Sequence, residues 1–178
     1  MTTNLKFSLV ASVLAALLVG QAPGLAQPDE PLYTYQSIHT LIAHRDNRIS
    51  LRVWADGRVE MRFPPYSPQA GHYPWRASEA ELERLDNLFA PFLQADAETL
   101  ERERATSARG EGEVVTVADA DLVRFSARLP DRQSTDLLIE SPRAWRRVSP
   151  QARQTANLAE AEARILEWMR SNIQREQE

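Results

Sequence analysis

Three histidines, 25 acidic side chains and no cysteine are the material for chemistry in this 178-residue chain. His39 and His44 stand five apart. On a helix that sets them about 140° from one another, unlike the i, i+4 pair that shares a metal ion. Each reads as an isolated surface histidine. His72 lies among aromatic rings and could act as an acid or base only if a carboxylate from elsewhere reached it. Asp119-Ala120-Asp121 brings two carboxylates together. It lacks the further acids and the glycine of a calcium loop and reads as a tight turn that tolerates aspartate. No metal site is expected.

The chain has no G-x-S-x-G elbow, no H-E-x-x-H, no phosphate-binding loop and no G-x-G-x-x-G. Without cysteine, thiol nucleophiles, thiol redox chemistry and Cys-ligated metals are excluded. No catalytic residue and no cofactor are nominated.

Two features carry a binding reading. The first is the stretch Pro64 to Arg76, where prolines alternate with Tyr66, His72, Tyr73 and Trp75. Such rings present rigid amphipathic area at small entropic cost, the usual make-up of a protein hot spot or a sugar platform. The plainer reading folds them over an open sheet edge to complete the core, and the usual burial of such rings favours it. The second feature is Arg143, Trp145, Arg146 and Arg147, a short cationic patch around a tryptophan that suits anionic headgroups or an acidic partner. Its plainer reading is a solvated helical turn with Trp145 tucked inward, and three arginines are too few for stable membrane attachment.

The elements that must position these residues begin after an address label. Met1 to Ala26 reads as a cleaved secretory signal peptide, with Lys6 as its positive start, Phe7 to Val19 apolar, and Gly24-Leu25-Ala26 as a small-residue cleavage site. Its apolar run falls short of the ~20 residues that span a bilayer, and there is no cysteine to acylate. The expected location is the periplasm, with release to the medium as the alternative. Removing the signal leaves 152 of 178 residues, with 20 arginines against 25 acids because Lys6 is the only lysine. A mildly acidic, lysine-free chain gives no nucleic-acid footprint, and the arginine bias reads as a coding-sequence habit.

Residues 27–32 read as a flexible lead, and 33–178 as one domain, long enough for a real core. Ser37 followed by Ile38, Leu41 and Ile42 suggests a short helix ending near Asp46-Asn47. Ile49 to Phe63 is a hairpin. A three-residue turn, Ala55-Asp56-Gly57, pairs Val53 with Val59, Leu51 with Met61 and Ile49 with Phe63, sets Arg52 against Glu60, and places Trp54 beside Arg58 as a surface stack. The prolines of 64–76 forbid a central strand there.

Ser78 to Glu81 is a capping box that opens a helix carrying Leu82, Leu85, Phe89 and Phe92, which Pro91 should end or kink near Ala90. A charged helical piece with Glu98 before Arg102 follows and dissolves near Arg109 to Gly112; its acid-rich run reads as a solvated face. Period two then returns. Val117 is expected opposite Val123, Val115 opposite Phe125, Ala127 opposite Leu137 and Phe125 opposite Ile139, a three-stranded meander. Ser141-Pro142 and Ser149-Pro150 each look like a helix start, and the last helix runs to about Ile173 with Leu158, Ala161, Ile165 and Trp168 inward.

Hairpin, helix, meander, helix makes an α+β two-layer domain, an antiparallel sheet with helices packed on one face. The functional expectation is a non-enzymatic protein-interaction module, an inhibitor or envelope accessory with a periplasmic or envelope protein as partner. The alternative is a small-ligand or glycan binder on the same aromatic platform, and a hydrolase around His72 comes third.

Overall fold

Alternation with period two recurs in six segments, and each becomes a strand: β1 (Tyr33–Ile38), β2 (Arg48–Val53), β3 (Arg58–Phe63), β4 (Gly71–Arg76), β5 (Leu122–Ala127) and β6 (Thr135–Glu140). The structure is a computed structural model and describes residues 30–43, 45–108, 120–130 and 134–176. The six strands form one sheet in the order β4-β3-β2-β1-β5-β6, each neighbour antiparallel. α1 (Glu79–Leu93), α2 (Ala97–Ala108), α3 (Pro142–Val148) and α4 (Arg153–Glu176) supply the second layer. The chain is α+β, with its helices packed against the sheet.

β1 replaces the short helix expected behind Ser37. Tyr33, Tyr35 and Ser37 point into the core while Thr34, Gln36 and Ile38 point away, so the period here is two. Ile38 merely ends the strand, and Leu41, read as a helical core position, is 68% exposed in a turn. β1 also revises the meander. Val123 lies between Ser37 and Ile139, and Phe125 between Tyr35 and Leu137. Both edges of β5 are therefore occupied, which rules out the pairings of Val117 with Val123 and Val115 with Phe125. Val115 and Val117 themselves lie outside the described residues, as does the segment Met1 to Ala26.

The β5–β6 register is two residues from the expected one: Ala127 faces Thr135 and Phe125 faces Leu137. A shift of two keeps every inward side chain inward, so the hydrophobic pattern does not resist it. The first hairpin keeps its expected pairs Val53–Val59 and Leu51–Met61, with Arg52 opposite Glu60. Gly57 takes φ 85°, and an added Cβ would sit 2.8 Å from the Ala77 carbonyl oxygen, so only glycine fits that turn. Arg58 does stack on Trp54 at 5.0 Å, but the indole is covered rather than a surface ring. β4 runs through the proline-aromatic stretch, where the prolines forbid a central strand but not an edge one. Pro74 is tolerated because β4 is the edge of the sheet.

α1 starts with the capping box: Ser78 Oγ accepts from the Glu81 backbone N–H, and the Glu81 carboxylate accepts from the Ser78 N–H. It then continues past Ala90 to Leu93. Pro91 removes only the N–H that would bond one turn back, and the next turn closes through Gln94 N–H to the Ala90 carbonyl at 3.1 Å. α4 begins at Arg153 and not at Pro150; Ser149 instead terminates α3. The N–H groups of Gln154 and Thr155 and the Thr155 hydroxyl all donate to the Glu103 carboxylate, so α2 supplies the cap of α4.

The covered face of the sheet reads as rows across six strands. Tyr73, Met61, Leu51, Tyr35, Phe125 and Leu137 form the middle one. Phe89 and Phe92 of α1 close over it, with ring centroids 5.4 and 5.1 Å from Phe125.

Candidate functional site

Among the described residues, no helix lies over the other face of the same strands. Its middle row runs His72, Arg62, Ser50, Gln36, Arg124 and Leu138, and its neighbour Pro74, Glu60, Arg52, Thr34, Ser126 and Asp136. Small neutral side chains that hydrogen-bond occupy the centre, and arginines surround them. Arg48, Arg52, Arg58, Arg62, Arg76 and Arg124 lie on this face, with Asp56 beside Arg58 and Arg76, Asp46 beside Arg62, Glu60 beside Arg52 and Asp136 beside Arg124. A chain of net charge −4 thus carries more arginines than acids on this face.

Two depressions lie there. The larger, about 990 Å³, has Gln36 and Ser50 in its floor and Arg45, Arg48, Arg52 and Arg62 against only Asp46 and Glu60. Arg62 Nη2 donates to Asp46 at 2.7 Å, whereas Arg52 stands 3.7 Å from Glu60. Arg45 and Arg48 have no ion-pair partner among the described residues. The smaller, about 370 Å³, continues across Thr34, Trp54, Arg124 and Ser126. On the helical side, a groove of about 530 Å³ between α1, α2 and α4 has most of its charges engaged within the protein, Arg153 excepted among the described residues. There Arg164 pairs with Glu160 at 2.6 Å and Glu103 caps α4.

Alternation divides the four aromatic-loop candidates. Tyr73 and Trp75 lie on the covered side of β4, half-buried, with Trp75 stacked on Trp168 of α4 at 5.2 Å. The Tyr73 hydroxyl donates to the Gln69 carbonyl at 3.1 Å. His72 is on the open side, its Nε2 3.9 Å from Glu60. Tyr66, 45% exposed, sits at the sheet end with its ring edge toward His39. Burial raises its phenol above the ordinary tyrosine value, with Asp121 and Asp46 adding to the effect. The four rings are thus divided between the covered side, the open side and the end of the sheet.

The cationic patch divides as well. Trp145 is buried and donates through Nε1 to Glu140 at 2.8 Å, and Arg143 turns toward Glu162 of α4. Only Arg146 and Arg147 remain exposed. Glu162 is the most unusual group in the core. It is 0% exposed, accepts from the Tyr35 hydroxyl at 3.3 Å, and lies 3.2 Å from Arg143 Nε without a formed hydrogen bond to it. Burial raises its carboxyl above the ordinary glutamate value, and Arg143 and Tyr35 offset only part of that. Burial likewise lifts the Tyr35 phenol well above its ordinary value, with Glu162 adding to the effect. This cluster anchors α3 and α4 to the centre of the sheet.

His39 is not the isolated surface histidine the sequence suggested. Its Nδ1 lies 2.9 Å from Asp121, which joins the end of β1 to the start of β5. No nucleophile hydrogen-bonds its ring among the described residues; His44 and Asp119 lie outside them. No cluster of His, Asp and Glu suited to a metal ion occurs among the described residues, nor any helix long and apolar enough to cross a membrane.

The residues missed at the sequence level are the outward arginines. Their signal was present in the polar parity of the hairpin, where Arg48 and Arg52, then Arg58 and Arg62, recur four apart. The chain matches no protein-family model, no curated protein and no solved structure, so its function has to be argued from these residues.

Proposed function

We propose that this is an exported, non-enzymatic protein-interaction module, acting in the periplasm as an inhibitor or envelope accessory, and that its docking surface is the open face of the sheet. One observation carries the reading. Every described helix lies on one side of the sheet, while the other side keeps a floor of Thr34, Gln36, Ser50 and Ser126 among arginines. Neutral hydrogen-bonding groups flanked by guanidinium forks suit a polar, acidic partner surface. A sugar platform has less support, because Tyr73 and Trp75 are engaged by Gln69 and Trp168.

The test places a photo-crosslinking side chain at Gln36 on the open face or at Glu83 on the exposed side of α1, in the protein expressed in its native envelope. One partner protein crosslinked from Gln36 and not from Glu83 is the expected result, together with a purified chain that begins at Gln27. Crosslinking from Glu83 alone, or from neither position, would reject the docking face. An N-terminus at Met1 in the cytoplasmic fraction would reject export.

A further inference from the structure

We propose that the depression at Arg45, Arg48, Arg52 and Arg62 is a carboxylate-reading site that takes two acidic side chains, four residues apart, from an extended segment of the partner. The inference rests on the docking-face reading and adds what the face selects.

Charge is the first argument. Four guanidinium groups meet two carboxylates in one depression, and only Arg62 is held by a short ion pair. Arg45 and Arg48 have no ion-pair partner among the described residues, and Arg52 is too far from Glu60 for a hydrogen bond. Guanidinium groups gathered at one place repel one another, and an incoming pair of carboxylates relieves that while gaining forked hydrogen bonds.

Spacing is the second. Arg48 and Arg52 are on the same side of β2, four residues apart, and a strand rises ~3.3 Å per residue, which separates their attachment points by about 13 Å. Two carboxylates four residues apart on an extended chain have the same separation and point the same way. Adjacent acids on such a chain point to opposite sides, so only one could reach the depression. Ser50 and Gln36, between the two arginines, offer hydrogen bonds to the backbone of the segment as it crosses. A single phosphate would satisfy one arginine and leave the other.

The experiment titrates the purified protein with the peptide Ser-Glu-Ser-Thr-Ser-Glu-Ser, with Ser-Ser-Glu-Glu-Thr-Ser-Ser as the control of equal charge. Inorganic phosphate and alginate serve as competitors. The proposal expects the first peptide to bind more tightly than the second and to weaken with added salt. Arg48→Ser or Arg52→Ser should weaken it about fivefold, and the double variant about tenfold or more. Both positions are exposed, so the variants should keep the wild-type circular dichroism and melting temperature. Equal affinity for the two peptides, binding untouched by the double variant, or displacement by phosphate or alginate at lower concentration than by the peptide would overturn the proposal. If the Gln36 crosslink survives in the double variant, the docking face stands and the carboxylate-reading site falls. If the crosslink was never formed, the docking face itself is at fault.

Discussion

The two faces of this sheet are cut from the same six strands, yet they tolerate change in opposite ways. On the covered face, Tyr33, Leu51, Met61 and Phe125 are buried against Leu85, Phe89 and Phe92 with almost no exposed area. Removing atoms there leaves a cavity whose lining loses its contacts. On the open face, Arg52 and Arg124 form ion pairs in water, with Glu60 at 3.7 Å and Asp136 at 3.1 Å. Such pairs contribute little to stability, so their side chains are available for recognition. The side chains that hold the layers together and those proposed for recognition are thus separated by the thickness of one strand.

The sharpest way to break this comparison is Phe125→Ala. Its ring packs between Tyr33, Phe89 and Phe92, and its loss should cost about 3–5 kcal/mol in chemical denaturation. A loss below about 1 kcal/mol would mean that the aromatic row does not hold the layers together.

Glu103→Ala should come next, at about 1–2 kcal/mol, because it uncaps α4 and loosens α2 at once. Burial raises the Glu103 carboxyl, but hydrogen bonds from Gln154 and Thr155 outweigh it and hold the group below the ordinary glutamate value. Its contribution is therefore full above that ordinary value and is lost as pH falls through the lowered one. In an acid titration of stability, the alanine variant should lose less than the wild type.

Glu162 has the opposite sign. A carboxyl raised in the folded state holds its proton more tightly there than in the unfolded chain. Stability accordingly falls as pH rises from the ordinary glutamate value through the raised one. Glu162→Gln, which keeps an acceptor for the Tyr35 hydroxyl, should flatten that limb, so that the variant's stability varies less with pH than the wild type's above the ordinary glutamate value. A variant equally unstable at all pH values would show instead that the pair with Arg143 outweighs burial. The smallest effects belong to the open face, where Arg52→Ser and Arg124→Ser should stay within about 0.5 kcal/mol of wild type.

How much of this was legible can be judged element by element. Val53–Val59 was readable because Gly57, three residues of turn and matching parity all pointed to one register. The α1 start was readable because a capping box is a local hydrogen-bond pattern. Pro91 marked the end of α1 to within one turn, since its missing N–H and its ring act on the turn before it while the helix closes at Leu93. Ser37 to Ile42 misled because three apolar residues at helical spacing look alike whether they line a helix or end a strand. The candidate rings at Tyr73 and Trp75 were identified by type, but the parity of an unexpected edge strand put them on the covered side.

Taken alone, the order of residues determined which side chains travel together: inward sets along each strand, the apolar stripe of α4, the absence of thiol chemistry. These follow from backbone periods of 2 and 3.6 residues, which are local. The tertiary structure alone decided that β1 lies between the two hairpins and that β5 and β6 pair two residues from the expected register. Parity is unchanged by a shift of two and says nothing about which strand is next, so contacts between distant parts of the chain make that choice. With the described helices on one face, those contacts set the outward arginines of distant strands side by side on the other.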